Sequence, residues 1–89
     1  MAKFKRVTEV DEDGESRLVT LELSGDSLYR ICKAQMWEAR VSVMAIVDVS
    51  VRRGGSAADT VTASTKHGTI EWTMKGGQDL VNAIEAAQG

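Results

Sequence analysis

The chain has 89 residues, of which 43% are hydrophobic and 27% charged, and its formal net charge is −2. Such a length allows one hydrophobic core, and such a balanced composition excludes a disordered tail and a broad polyanion-binding protein. Because Cys32 is the only cysteine, an internal disulfide and a cysteine-based zinc site are excluded. We expect one domain over residues 1–89, a reducing, cytoplasmic setting, no signal peptide and no membrane location.

Residues 4–10 and 18–23 are predicted to form a β-hairpin. Their β-branched residues favour strands, and alternation in the second segment places its apolar side chains on one face. Asp13-Gly14 lies between them, and this pair is typical of tight turns because both residues accept positive φ angles.

Residues 27–37 are predicted to form a short helix. Leu28, Ile31 and Cys32 recur at the spacing of one helical face. Asp26, just before them, is a suitable N-cap because its carboxylate can accept a hydrogen bond from a free amide of the first turn.

Residues 40–52 show strict alternation and are predicted to form one long strand. Valines and an alanine occupy every second position from Val41 to Val51. Met44 and Ile46 make the other face apolar as well in the middle, which indicates a strand that is central in its sheet or covered by another subunit.

Residues 60–65 and 69–75 are predicted to form a second hairpin around a His67-Gly68 turn, and residues 78–88 a terminal helix. The predicted order is ββαβββα. We therefore expect an α+β fold, a mainly antiparallel five-stranded sheet with two helices packed on one face.

The sequence contains no recognisable catalytic or metal-binding constellation, and no cofactor is implied. Cys32 is expected to be buried, where a thiol is unreactive, and His67 is expected at an exposed turn. The acidic residues of segment 11–15 lack the ligand register of a calcium-binding loop. An enzyme would need an active site shared between subunits.

One candidate binding site is a phosphate or carboxylate site formed by two glycine-containing segments. Gly76-Gly77 follows a strand and precedes a helix, so free amides and the helix dipole could converge with Lys75 on an anion. Arg52 and Arg53 precede a flexible loop and could contribute guanidinium groups if the fold brings them beside Lys75.

Two functional hypotheses remain. The first is a non-enzymatic, self-associating interaction module, an accessory protein that binds and modulates a protein partner through Met44, Ile46 and Trp37, with a homodimer as the expected assembly. The alternative is a binder of a phosphorylated or nucleotide-like small ligand at the anion site. Nucleic acid is not expected as a partner, since the final helix, residues 78–88, carries no Lys or Arg.

Overall fold

The computed structural model describes residues 2–89, which form seven strands and one α-helix. All strands belong to one antiparallel sheet with the spatial order β4-β3-β2-β1-β7-β6-β5. The elements are β1 (Ala2–Val10), β2 (Ser16–Ser24), β3 (Ser27–Cys32), β4 (Trp37–Ser42), β5 (Ile46–Arg52), β6 (Asp59–Thr65), β7 (Gly68–Met74) and α1 (Gly77–Gln88).

The sheet consists of two meanders joined at one place. Strands β1 to β4 pair in sequence order, and so do β5 to β7. The first strand and the last strand then pair with each other, with Glu9 opposite Trp72. Strands β4 and β5 are consequently the two edges of the sheet.

Both predicted hairpins and the terminal helix are present in the structure. Strands β1 and β2 flank the acidic turn, where Asp11 Oδ1 accepts hydrogen bonds from the amides of Asp13 and Glu15, each at 3.0 Å. Strands β6 and β7 flank the His67 turn, and α1 begins at Gly77, one residue before its predicted start.

The predicted five-stranded sheet with two helices is wrong, because residues 27–37 do not form a helix. They form β3, a 3₁₀ turn over Lys33–Gln35, and the first residue of β4. In β3 the inward side chains are Leu28, Arg30 and Cys32, all buried. A charged residue in the middle of the inward row hides the alternation, so the remaining apolar residues imitate a helical stripe.

The predicted long strand over residues 40–52 is also wrong. Its two ends belong to β4 and β5, which are separated by a 3₁₀ turn at Val43–Ala45. Val43 and Ile46 are both buried, with 0% and 4% of their surface exposed. The alternation of residue types therefore does not match burial here, because the turn and the extra residue Val47 change which positions face the core.

The apolar core extends along one face of the sheet from β3 to β6, and α1 packs on it at β5 and β6. Leu80 and Ile84 of the helix are fully buried, together with Val61 of β6. The end of the helix is fixed by Gln88, whose Nε2 donates hydrogen bonds of 3.0 Å to the backbone carbonyls of Val43 and Ile46.

Candidate functional site

One edge of strand β5 is unpaired. The strand pairs with β6 from Ile46 to Arg52, and among residues 2–89 no backbone hydrogen bond is made on its other side. At its first residue, the amide of Ile46 donates to the carbonyl of Val43 and the carbonyl of Ile46 accepts from the side chain of Gln88. Free amides and carbonyls along an edge can accept another strand.

The outward side chains of β5 are exposed. They are Asp48, Ser50 and Arg52, whereas Val49 and Val51 point inward and are half-buried. A register shift between Ile46 and Asp48 inserts Val47 as an extra residue, 76% exposed. We call this unpaired strand, residues 46–52, the β5 edge.

Two of the three predicted interface residues lie at the start of the β5 edge, in different environments. Met44, in the 3₁₀ turn before β5, is 64% exposed. Ile46 is part of the core and is buried. The exposed apolar residue beside Met44 is Val47, which sequence alternation did not single out because it predicted a continuous strand.

The third predicted interface residue, Trp37, is half-buried at the start of β4. The guanidinium carbon of Arg17 lies 4.0 Å from the centroid of its ring, and that of Arg30 lies 5.5 Å away. Both guanidinium groups lie within cation–π distance of the indole. Next to it, Met36 is 95% exposed and has a left-handed backbone, with φ 51°.

The predicted anion site at the start of α1 already has a carboxylate. Asp59 Oδ2 accepts a hydrogen bond of 3.0 Å from the amide of Gly77, and its Oδ1 accepts one of 3.2 Å from the amide of Gly54. An acidic side chain at a helix N-terminus satisfies a free amide and complements the dipole. Asp59 thus ties the loop after β5 to the helix.

Lys75 lines a pocket that does not include Arg52 and Arg53, the arginines of the predicted anion site. It lines a pocket of about 410 Å³ together with Lys5, Arg6, and the hydroxyl-bearing residues Thr8 and Thr73. Neither arginine of the predicted site, 52 or 53, is among the lining residues, and no acidic residue lines the pocket. We call it the basic pocket.

The basic pocket depends on an irregularity in β1. Phe4 lies opposite Leu21 and Val7 opposite Val19, so two residues of β1 oppose one residue of β2. This bulge gives Arg6 a left-handed backbone with φ 58° and leaves two consecutive cations exposed. The adjacent Lys5 and Arg6 break the strand alternation, which is the signal in the sequence that could have indicated the bulge.

Two charged side chains, Glu9 and Arg30, are buried on the inner face of the sheet, and no pattern in the sequence indicated them. Glu9 is fully buried and accepts hydrogen bonds from Arg30 Nε at 2.8 Å, Arg30 Nη2 at 3.0 Å and Trp72 Nε1 at 2.8 Å. Glu12 Oε1 accepts a further bond from Arg30 Nη2 at 3.1 Å. We call Glu9, Arg30, Trp72 and Glu12 the ionic layer.

The electrostatics of the ionic layer favour fixed charges. Burial lowers the pKa of Arg30, but hydrogen bonds and charges from Glu9 and Glu12 outweigh it and hold that pKa above its usual value. The carboxylate of Glu9 is occupied by donors from within the chain. The arrangement is suited to positioning strands and not to transferring protons.

A second ion pair lies beside this layer. Asp11 is buried and accepts a hydrogen bond from Arg17 Nη1. This bond lowers the pKa of Asp11 below its usual 3.8, against an opposing effect of burial, and the amides of Glu15 and Asp13 lower it further. The pair closes the acidic turn between β1 and β2.

The remaining sequence candidates show no assembled chemistry. Cys32 is buried, and His67 lies in the turn between β6 and β7, where its amide donates to Thr65 Oγ1 at 3.1 Å. Within residues 2–89, no three His, Cys, Asp or Glu side chains converge as metal ligands. No helix within residues 2–89 has the length and the apolar character needed to span a membrane.

The sequence was compared with known proteins. No protein-family model matches it, and no curated protein matches it significantly.

Proposed function

We propose that this protein is a non-enzymatic interaction module, which self-associates and binds and modulates a protein partner through the β5 edge. The observation that carries the proposal is the unpaired side of β5, which extends over Ile46–Arg52. A strand added there would gain main-chain hydrogen bonds, and the side chains along the edge would select it.

The charges along the β5 edge differ from those of a protected edge. Edge strands that avoid pairing often carry lysine or proline, which repel or block a second strand. The β5 edge instead carries one acidic residue, Asp48, two positions before Ser50, and one basic residue, Arg52, two positions after it. Opposite charges on one edge favour a partner strand with the complementary order.

Exposed apolar side chains are concentrated beside this edge. Four large hydrophobic residues of segment 2–89 are exposed, and two of them, Met44 and Val47, lie at the start of β5. Exposed methionine and valine side chains lose contact with water when a partner covers them, which adds affinity to the backbone pairing.

The proposal is tested by comparing Val47→Lys with Leu18→Lys. Both side chains are mostly exposed, at 76% and 63%, so neither change should disturb the fold. Leu18 lies on β2, far from β5 in the strand order, which makes it the matched control. We expect affinity capture from native lysate to lose a stoichiometric protein with Val47→Lys and to retain it with Leu18→Lys. Equal recovery by both variants would overturn the proposal.

A second candidate function is favoured by the basic pocket, which suits a small phosphorylated ligand. Lys5, Arg6 and Lys75 take part in no ion pair among residues 2–89, and their charges converge on a concavity of about 410 Å³. Pockets of this size accommodate small ligands, and phosphate oxygens accept from both ammonium and hydroxyl donors.

Titration calorimetry with pyrophosphate tests this second candidate. We expect binding that is lost in Lys5→Gln/Lys75→Gln and retained in Lys66→Gln/Arg53→Gln, which removes the same number of charges outside the pocket. Loss in both double variants would indicate nonspecific attraction by net charge, and no heat with the wild-type protein would exclude the site.

A further inference from the structure

We propose that the strand added to the β5 edge is β5 of a second copy of this chain, running antiparallel and centred on Ser50. This inference rests on the proposed function, because it names the first partner of the same edge. It is carried by the order of side chains along the edge, which is complementary to itself.

The symmetry of such a pairing determines which residues lie opposite each other. With Ser50 on the two-fold axis, Asp48 lies opposite Arg52 of the second copy, and Arg52 lies opposite Asp48 of that copy. All three side chains are exposed on the outer face of the sheet. Opposite residues of an antiparallel pair share a face, so two ion pairs form across the junction.

The inner face is complementary in the same register. Val49 lies opposite Val51 of the second copy, and the reverse pair forms on the other side of the axis. Both valines are half-buried against the core of their own chain. Covering them with β-branched side chains extends the apolar interior across the junction.

Neighbouring registers lack this complementarity. Centring the pair on Asp48 or on Arg52 opposes two like charges, and an in-register parallel pair also opposes Asp48 to itself. Centring on Val49 or Val51 leaves Asp48 without an opposite charge. A shift by one residue places the outer face of one copy beside the inner face of the other. The Ser50 register is therefore selected by both faces.

The junction joins two seven-stranded sheets through their β5 edges. It consists of one short strand pair flanked by the exposed side chains of Met44 and Val47. Interfaces of this kind are smaller than those of permanent dimers, so the assembly is expected to depend on protein concentration.

Sedimentation equilibrium with two charge-reversal variants tests the register. Asp48→Arg opposes two arginines across the junction and Arg52→Asp opposes two aspartates, so each change should raise the dimer dissociation constant about tenfold or more. An equimolar mixture of the two variants restores both ion pairs. We expect the mixture to form a dimer that neither variant forms alone.

A matched control is Glu71→Arg, which changes the net charge as much as Asp48→Arg does, at an exposed position of β7. We expect it to dimerise like the wild-type protein. Recovery in the mixture also shows that both variants are folded. Dimerisation of each charge-reversal variant as tight as that of wild type, or a mixture that remains monomeric, would overturn the register.

The outcome can be separated from that of the proposed function. If wild type remains monomeric at about 1 mM while Val47→Lys loses a captured protein that Leu18→Lys retains, the second copy is excluded as the occupant. Self-association then fails, and the binding of another protein at this edge stands. If the mixture dimerises but capture is unchanged by Val47→Lys, the dimer stands and the proposed binding of another protein at this edge fails.

Discussion

The buried face of this sheet contains two regions that are stabilised by different interactions, one by apolar packing and one by an ion pair with its hydrogen bonds. Beneath α1, three aliphatic side chains are fully buried and have no polar atoms that need hydrogen-bond partners: Leu80, Ile84 and Val61. In the ionic layer, Glu9 is equally buried but carries a charge, and it is stable there because Arg30 and Trp72 supply donors.

The comparison shows that burial has two different requirements. An apolar side chain contributes in proportion to the surface it removes from water, so losing part of it costs part of its contribution. A buried charge needs a complete set of partners, and losing one partner exposes the full cost of the other. The two regions should therefore respond differently to mutation and to pH.

The largest effect is expected from Arg30→Met. This change leaves the carboxylate of Glu9 buried without its cation, which should lower the free energy of unfolding by about 3–5 kcal/mol. Urea denaturation measures the loss. The double variant Glu9→Gln/Arg30→Met is the control: it removes the buried charge and should be more stable than the single variant. A single variant that loses less than about 1 kcal/mol would contradict the interpretation.

In the apolar region, Ile84→Ala should lower the free energy of unfolding by about 3 kcal/mol, because it removes buried methyl groups and leaves a cavity. The loss should be the same at neutral and at acidic pH, since neither isoleucine nor alanine titrates. Glu85→Ala, at the next and exposed position of α1, is the control. A loss that varied strongly with pH would mean that the two regions are coupled.

A smaller effect is expected from Gly77→Ala at the start of α1. An added Cβ would lie 2.9 Å from Asp59 Cβ and 3.0 Å from Val61 Cγ2. The helical preference for alanine offsets part of this strain, so we expect a net loss of about 1 kcal/mol by thermal or urea denaturation. Gln78→Ala, one residue further along the helix, should change stability less. A stabilised Gly77→Ala variant would show that the helix start can move away from β6.

The smallest effect on stability is expected from Asp11→Asn, and it should depend on pH. Because the folded-state pKa of Asp11 is lowered below 3.8, its stabilising contribution is present above about pH 4 and is lost as the pH falls through the folded value. Asp11→Asn should therefore be less stable than wild type at pH 7, and the difference should shrink below pH 4. A difference independent of pH would show that the Asp11 charge contributes nothing.

The parts of the fold that sequence predicted are those whose signals are local. The turn at Asp13-Gly14 and the alternation in β7 each depend on a few adjacent residues, and both hairpins are found. Strand β3 could not be predicted in the same way. Arg30 is buried only because Glu9 lies across the sheet, and nothing within β3 itself indicates that partner.

The candidate sites likewise combine features with local sequence signals and features that depend on contacts between distant residues. Met44, predicted as an interface residue, is exposed, but the position of Val47 depends on a register shift that the order of residues does not reveal. The sequence left open whether Arg52 and Arg53 lie beside Lys75, and the β1–β7 pairing brings Lys5 and Arg6 to it. Pairing between strands that are distant in the sequence determines which cations line the same pocket.

The central position of β1 has a consequence for the rate of folding. Every other strand pair joins neighbours in the sequence, so each meander can form by closing short loops. The β1–β7 pair instead joins the two ends of the chain, and Trp72 reaches Glu9 only in this step. The carboxylate can pair with Arg30 within the first meander, but its burial is completed only when β7 docks. We expect this late dehydration to limit the rate of folding, so that a change at Trp72 slows folding more than a change within either turn.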